Sequence, residues 1–172
     1  MAYTVRRTTA DEWREYRELR LEALRDSPTN FGQTHEQALA MPDELWQERA
    51  QVNAASEEQA FYVALDDADA SGRLVGMWGL MPHRERHSAH IVIGVYVRPE
   101  ARGTDVARRL NQACVDFGRT TAAKELILLV RDDNERGRRF YEREGFVYTG
   151  NKEPHNLDPA HDLVEMRMES FR

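Results

Sequence analysis

A strand–helix–strand unit in the second half of the chain constrains the fold most. The run HIVIGVYV (90–97) is rich in β-branched residues and predicts a long strand. From Thr104 to Phe117 the apolar residues recur at helical spacing. The continuous apolar run ELILLV (125–130) is typical of a strand that is buried on both faces. We expect these two strands to lie parallel, joined by a right-handed crossover, with a ligand site beyond their carboxyl ends.

Helix signals surround this unit. Thr9 and Glu12 have the spacing of a capping box at the start of a first helix, which ends near Ser27-Pro28 because proline disfavours helix in the residue before it. A second helix begins around Thr34, and a third has Pro42 in its first turn. A short basic helix (134–144) is stopped by a glycine.

The remaining strands make half of the sheet antiparallel. They are YTV (3–5), FYVAL (61–65), RLVGMWGLM (73–81), FVYTG (146–150) and LVEMRM (163–168). Only two stretches resemble linkers, the turn DDADASG (66–72) and the segment 149–159. The order of elements predicts a mixed α/β fold with an antiparallel half and one parallel crossover.

Composition narrows the class of protein. With 172 residues, the chain is expected to form a single domain, 1–172. Its net charge of −6 argues against nucleic acid or an anionic membrane as the main partner. The single cysteine, Cys114, excludes an intrachain disulfide and a multi-cysteine metal site. The sequence has no apolar run typical of a secretory signal or a membrane span, so we expect a cytoplasmic protein.

The loop between the crossover's first strand and its helix has two interpretations. Gly103 precedes a helix start, where free N–H groups and the helix dipole favour an anion. Mobile positive charge would come from Arg98, Arg102, Arg108 and Arg109. The alternative is a well-capped helix, with Thr104 as the N-cap and Asp105 in the first turn. The residues alone leave both open.

Two segments resemble the signature motifs of the GCN5-related N-acetyltransferase (GNAT) superfamily. In VYVRPEARGTDVARRL (95–110), the family pattern is Arg or Gln, two residues, Gly, one residue, then Gly or Ala, and Asp105 stands at the central glycine. The second segment, NERGRRFYEREGF (134–146), matches at Asn134, Gly137, Phe140-Tyr141 and Gly145-Phe146. The segments LRLEALRDSPTNFG (19–32) and TGNKEPHNLDPAHDLVEMRM (149–168) resemble many bacterial members.

The resemblance implies a GNAT-like fold, with a central, mostly antiparallel sheet, one parallel crossover and helices on both faces. It implies acetyl-CoA as cosubstrate. The residues that would hold it are Val95, Tyr96 and Val97 along the pantetheine arm, the amides of Arg102, Gly103, Thr104, Asp105, Val106 and Ala107 at the pyrophosphate, and Asn134. Tyr141 would be the general acid that protonates the leaving thiolate. Without that role, Tyr141 is a core aromatic residue.

The implied activity is acetyl transfer to a primary amine of a small molecule or peptide by direct attack on the thioester. Asp105 favours an alternative, a non-catalytic or effector-binding protein, because its charge repels a phosphate. The acidic surface is compatible with a cationic amine. Many family members form dimers, and the apolar C-terminal strands would suit a homodimer.

The sequence does not single out a general base or the residues of the acceptor pocket. Candidates for the general base are His83, His87, His90, Glu22 and Glu36. Three aromatic residues, Phe31, Trp46 and Trp78, line the acceptor pocket or belong to the core. Cys114 lies on the apolar stripe of its helix and is interpreted as a buried hydrophobic residue. The histidine-rich turn HRERHSAH (83–90) has too few further ligands to predict a metal site.

Overall fold

The structure, a computed structural model, describes residues 2–171. The strands are β1 Tyr3–Arg7, β2 Ala60–Asp66, β3 Leu74–Pro82, β4 Ala89–Val97, β5 Glu125–Arg131, β6 Phe146–Pro154 and β7 Asp162–Met168. The helices are α1 Trp13–Asp26, α2 His35–Leu39, α3 Asp43–Ala55, α4 Val106–Thr120 and α5 Glu135–Arg143, with a 3₁₀ turn at Pro99–Ala101. No helix within these described residues is long and apolar enough to cross a membrane.

One seven-stranded sheet runs through the molecule in the order β1-β2-β3-β4-β5-β7-β6. Only β4 and β5 pair in parallel, and all other neighbours are antiparallel. The predicted fold class is confirmed. Because β7 lies inside the sheet, only β6 of the two C-terminal strands has a free edge, and β6 is largely exposed and polar. The homodimer stays a prediction.

Two hydrophobic clusters lie on opposite faces of the sheet. Consecutive strand residues point to opposite faces, and the neighbours Val63 and Ala64 fall into different clusters. Ala64 packs in the cluster that contains Leu110 and Cys114 of α4. Val63 packs in the cluster that α1 and α3 supply, with Trp46 among its members. Helices therefore cover both faces, as expected.

The structure corrects several predicted boundaries. α1 begins at Trp13, and Glu12 occupies the N-cap position without a side-chain cap. Half of the expected capping box forms, since the Thr9 amide donates to Glu12 Oε1 at 2.7 Å, but Glu12 also pairs with Arg6. Pro42 is the N-cap residue of α3 and not part of its first turn. Part of the linker-like segment 149–159 continues β6 as far as Pro154, because it pairs with β7.

The two parallel strands separate after four residue pairs. β4 pairs with β5 only from Ala89 to Val92 and then continues without it to Val97. A bulge lies just beyond the point of separation, where β4 has an extra residue relative to β3. Gly94 adopts a φ of +62° there, a conformation that favours glycine. This separation leaves a gap between β4 and β5 inside the sheet.

Candidate active site

A cleft of about 1020 Å³ fills this opening. It is bounded by the second half of β4, the end of β5, the start of α4, and residues of α1, α3 and α5. All the residues predicted to bind the cofactor or act in catalysis line it, except Val106. The Val106 side chain is fully buried and packs in the core beneath α4. The fold thus brings together residues from distant parts of the sequence.

Val95, Tyr96 and Val97 present a free strand edge to the cleft. On one side this segment pairs with β3, through Met77 and Gly76. On the other side its pairing with β5 has ended, so the main chain there faces the cleft. A strand edge of this kind binds an extended ligand by main-chain hydrogen bonds.

The start of α4 is open to an anion. Gly103 has a φ of +80°, which turns the chain into the helix. Within residues 2–171, the amides of Gly103, Thr104, Asp105 and Ala107 have no hydrogen-bond acceptor. Such unsatisfied N–H groups at a helix start attract anionic oxygen atoms. The amide of Arg102 is different, because it already donates to the Pro99 carbonyl.

The capping interpretation of this loop is largely wrong. Asp105, and not Thr104, is the N-cap residue, and its side chain makes no capping hydrogen bond. The Thr104 hydroxyl donates to the Ala101 carbonyl at 2.7 Å and accepts only a long bond, 3.3 Å, from the Val106 amide. The Asp105 side chain is half exposed. Because its φ of −82° is ordinary, Asp105 fits this backbone without strain.

Three of the four arginines expected to supply mobile charge are held elsewhere. Arg98 pairs with Glu22 at 2.7 Å, and Arg109 donates to the Tyr3 carbonyl. Arg102 pairs with Asp26 at 2.6 Å and donates to the carbonyl of Val97. Glu22, Tyr3 and Asp26 are distant from these arginines in sequence, so the motif gave no sign of these partners. Only Arg108 is both exposed and close to Asp105, at 3.8 Å.

Tyr141 lies in an aromatic group beside the cleft. Its ring makes edge contacts with Trp78, Phe140 and Phe146, at centroid distances of 5.4 to 6.1 Å. No group in the described part of the chain forms a hydrogen bond with its hydroxyl. Burial raises the pKa of Tyr141, so the phenol stays protonated at neutral pH. It can therefore serve as a proton donor in the cleft.

Asn134 caps α5 and borders the same cleft. Its Oδ1 accepts a hydrogen bond from the Gly137 amide at 2.9 Å. A β-carbon at position 137 would lie 2.8 Å from Asn134 Nδ2, so glycine allows this side chain its position. The capping bond uses Oδ1 and leaves Nδ2 as a donor for a ligand.

None of the residues proposed as general base lines the cleft. His90 is buried at the start of β4 with its Nε2 against the Glu58 carbonyl, 2.7 Å away. His83 Nδ1 accepts two amides of its own turn, and His87 belongs to the same exterior turn. Glu22 pairs with Arg98, and Glu36 is an exposed first-turn residue of α2. Position along β4 suggested the three histidines, but the cleft opens at the other end of that strand.

Sequence reasoning missed His155, which lines the cleft and is 2% exposed. Its Nδ1 accepts the amides of Leu157 and Asp158 at 3.1 and 3.0 Å. The neutral ring therefore carries its proton on Nε2, which makes that atom a donor and not a base. His155 lies in the segment interpreted as a linker, and no spacing pattern pointed to it.

Arg131 fixes the loop that contains His155. Its guanidinium pairs with Asp158 of that loop and with Asp133, both at 2.8 Å. The hydrogen bonds from Arg131 lower the pKa of Asp133 to about 2 and also lower the pKa of Asp158. His161 and Asp132 form a further pair in the same cluster, at 2.8 Å.

Low pH should therefore destabilise the fold, because it protonates the carboxylates that pair with Arg131. A carboxyl group with a lowered pKa stabilises the fold above its unfolded pKa, roughly 4, and this stabilisation is lost as the pH falls toward 2. Because solvent screens these carboxylates, we expect the loss of stability to be small. Denaturant unfolding at pH 7, 4 and 2.5 measures it. The free energy of unfolding should decrease less with pH in Arg131→Gln than in the wild type. An equal decrease in both proteins would contradict a role of the Arg131 pairs in acid sensitivity.

The three aromatic residues proposed for the acceptor pocket all line the cleft. Phe31 and Trp46 lie at its α1–α3 end, and Trp78 lies under Tyr141. At the Phe31 end, Asn156 Nδ2 donates to the Gly32 carbonyl at 3.1 Å, which joins the His155 loop to the loop after α1. The aromatic residues serve the core and the cleft wall together.

Comparison with known proteins gives a consistent result. Residues 11–146 match the family model described as the acetyltransferase (GNAT) family. N-alpha-acetyltransferase 30 of Schizosaccharomyces pombe is 32% identical over 85 residues, which are 49% of this chain and 55% of that protein. The match thus spans little more than half of the length of this curated relative.

Solved structures share the fold at lower identity. The acetyltransferase of the GNAT family from Streptococcus pneumoniae has a TM-score of 0.81 at 13% identity, covering 96% of this chain and 98% of that one. The phosphinothricin acetyltransferase from Sinorhizobium meliloti, solved in complex with AcCoA, has a TM-score of 0.77 at 18% identity, covering 97% and 88%. Since the family model spans most of the sequence, the chain belongs to the acetyltransferase (GNAT) family.

Proposed function

We propose that the protein transfers an acetyl group from acetyl-CoA to a primary amine of a small molecule or peptide, by direct attack of the amine on the thioester. Family membership makes acetyl-CoA the cosubstrate. The observation that carries the proposal is the free edge of β4 next to the open start of α4, in one cleft with Tyr141. The likeness of residues 19–32 and 149–168 to bacterial members supports a bacterial origin.

The cofactor would bind across these two features. Its pantetheine arm would add to Val95–Val97 as an extra strand. Its pyrophosphate would accept hydrogen bonds from the amides of Gly103, Thr104, Asp105 and Ala107, where the helix dipole also favours negative charge. Arg102 and Val106 would shape the loop through their existing contacts. Asn134 would offer Nδ2 as a further donor.

The chemistry follows from what the cleft supplies. The amine nitrogen bonds to the thioester carbon, and an N–H of β4 stabilises the oxyanion that forms. When the carbon–sulfur bond breaks, Tyr141 donates its phenolic proton to the thiolate. The attacking nitrogen releases its own proton to water in the cleft, and water returns a proton to the Tyr141 oxygen. His155, which lines the cleft, already accepts two amides at Nδ1 and is not used as a base. The products are an amide and free CoA.

The alternative is a protein that binds an effector in this cleft without catalysis. Asp105 favours it, because its carboxylate lies at the start of α4 where the pyrophosphate would bind. The geometry weakens this alternative, since the carboxylate is half exposed and can turn toward Arg108. A leaving-group acid such as Tyr141 also has no use in a binding protein.

Asp105→Gly should bind acetyl-CoA more tightly than the wild type. Two charges about 4 Å apart repel by roughly 1 kcal/mol where water screens them, so we expect Kd to fall about fivefold. Calorimetric titration of acetyl-CoA measures this change. Glycine also loses conformational freedom on folding, so the variant should be up to about 1 kcal/mol less stable.

Asp105→Asn is the matched control, because it removes the charge and keeps the volume. Equal tightening in both variants assigns the effect to charge, and tightening in Asp105→Gly alone assigns it to crowding. If neither variant nor the wild type binds acetyl-CoA, the acetyltransferase proposal fails and the effector-binding alternative stands.

A further inference from the structure

The α1–α3 end of the cleft contains a partly buried arginine that has no carboxylate partner in the described part of the chain. Arg20 of α1 lines the cleft, with its guanidinium 4.4 Å over the ring of Phe31. Its one hydrogen bond in the described part of the chain is long, 3.5 Å to Gln33 Oε1. Its Nη1 is fully buried and has no hydrogen-bond partner among residues 2–171. This differs from Arg98, whose guanidinium pairs with a carboxylate.

Two residues of α3 add further donors to this end. Trp46 is 3% exposed and lines the cleft, and its indole Nε1 has no acceptor among residues 2–171. Arg49 lies three residues further along, on the same face of the helix, and also lines the cleft. Within the described ranges, its one hydrogen bond is to the sulfur of Met41, at 3.6 Å.

Arg20 and Trp46 keep unsatisfied donors that a ligand can use. Burial lowers the pKa of Arg20, and the positive charge of Arg49 lowers it further. A partly buried charge without a good hydrogen-bonded partner, such as that of Arg20, is costly, and Arg20, Trp46 and the exposed Arg49 all offer only donors. Tyr16 beside them is also buried, and its pKa is raised to about 12, so it supplies no negative charge at neutral pH. The missing component is an anionic oxygen group.

We propose that the amine accepted by this enzyme carries a carboxylate, which Arg20 and Trp46 bind with the support of Arg49. This inference rests on the proposed acetyl transfer and narrows its substrate class. Guanidinium groups match carboxylates in geometry and charge. The carboxylate would lie against α1 and α3, and the amine of the same molecule would point toward the thioester. The cleft thus favours an amino acid over the purely cationic amine that the acidic surface suggested.

The first test compares matched substrates on the wild-type protein. Initial rates of acetyl transfer are measured for free amino acids and for their carboxamides, which keep the amine and lose the negative charge. Peptides with an acidic second residue form a third arm, since a side-chain carboxylate has the same chemistry. For the best pair of substrates, we expect kcat/KM to be roughly 10- to 150-fold higher for the carboxylate than for the carboxamide, the range of a charge-assisted hydrogen bond.

Variants assign the preference to residues. Arg20→Gln should remove most of the difference between acid and amide by lowering kcat/KM for the acid alone. Trp46→Phe keeps the ring, removes the N–H and should have a smaller effect in the same direction. Arg17→Gln is the control, because Arg17 is on the same helix but does not line the cleft.

A binding measurement separates this inference from the proposed function. The chain has three tryptophans, and Trp46→Phe identifies the indole N–H signal of Trp46 in a nitrogen–proton correlation spectrum. Amino acids should shift that signal in the wild type, and their carboxamides should not. Equal rates and equal shifts for acids and amides would overturn the carboxylate proposal while acetyl transfer stands. Shifts specific to acids in a protein that fails to bind acetyl-CoA would uphold the anion site and reject the proposed reaction.

Discussion

Tyr141→Phe is expected to lower kcat by roughly 10²- to 10⁴-fold, the usual contribution of a general acid. The Tyr141 phenol is buried in the cleft and protonated at neutral pH, so it can donate its proton to the thiolate. Affinity for acetyl-CoA should be unchanged, because the ring contacts with Trp78, Phe140 and Phe146 remain. Release of CoA at saturating substrate measures kcat, and calorimetry measures binding.

The stability of Tyr141→Phe distinguishes a catalytic role of the hydroxyl from a role in packing. The hydroxyl has no partner within residues 2–171, so its removal should shift the free energy of unfolding by less than about 0.5 kcal/mol. Tyr62→Phe removes the same atom from a half-buried tyrosine outside the cleft and serves as the control. A kcat for Tyr141→Phe within threefold of the wild type would make Tyr141 a core aromatic residue only.

Glu22→Gln should destabilise the protein by roughly 2–3 kcal/mol and leave its kcat almost unchanged. Arg98 is buried and pairs only with Glu22, while its Nε and Nη1 have no partners in the described chain. Removing one member of a buried pair strands the other charge, at a cost of about 3–5 kcal/mol that the partial exposure of Glu22 reduces. Glu22 also accepts the Tyr96 hydroxyl at 3.3 Å, so it holds α1 against β4. Denaturant unfolding gives the change in stability.

A double-mutant cycle tests whether the unpaired charge of Arg98 causes the loss of stability in Glu22→Gln. In an Arg98→Met background, Glu22→Gln should cost little, because no buried guanidinium remains. Glu18→Gln, one turn earlier on the exposed side of α1, should have an effect within about 0.5 kcal/mol. If Glu22→Gln instead lowers kcat by two orders of magnitude and removes the acidic limb of the pH profile, Glu22 is the general base after all.

Local sequence patterns predicted the fold because the spacing of apolar residues identifies its main helices and strands. The helical stripe of α4 and the apolar run of β5 identified the crossover almost to the residue. The resemblance at 95–110 and 134–146 then indicated the arrangement of the whole sheet. The errors lie where tertiary pairing overrides local preference. Glu12 is drawn to Arg6, and β6 extends through a polar segment because β7 pairs with it.

The part of the cleft proposed to hold the cofactor was identified from sequence for the same reason, since one loop and one strand edge supply most of it. The part proposed for the acceptor comes from α1, α3 and the loop before β7, which meet only in the folded chain. Arg20 and His155 follow no motif, and the pairing of Arg102 with Asp26 joins residues far apart in sequence. Charge counted along the sequence therefore misjudged which arginines are free.

The position of Cys114 has a practical consequence for the study of this enzyme. The thiol is fully buried beneath α4, near the Trp78 carbonyl, and burial raises its pKa. As the only cysteine of the chain, it offers no exposed thiolate to an alkylating or disulfide reagent. Chromogenic disulfides added to the native protein should therefore report free CoA against a low background, without prior removal of a cysteine. For the same reason, a covalent acetyl-cysteine intermediate has no residue on which to form.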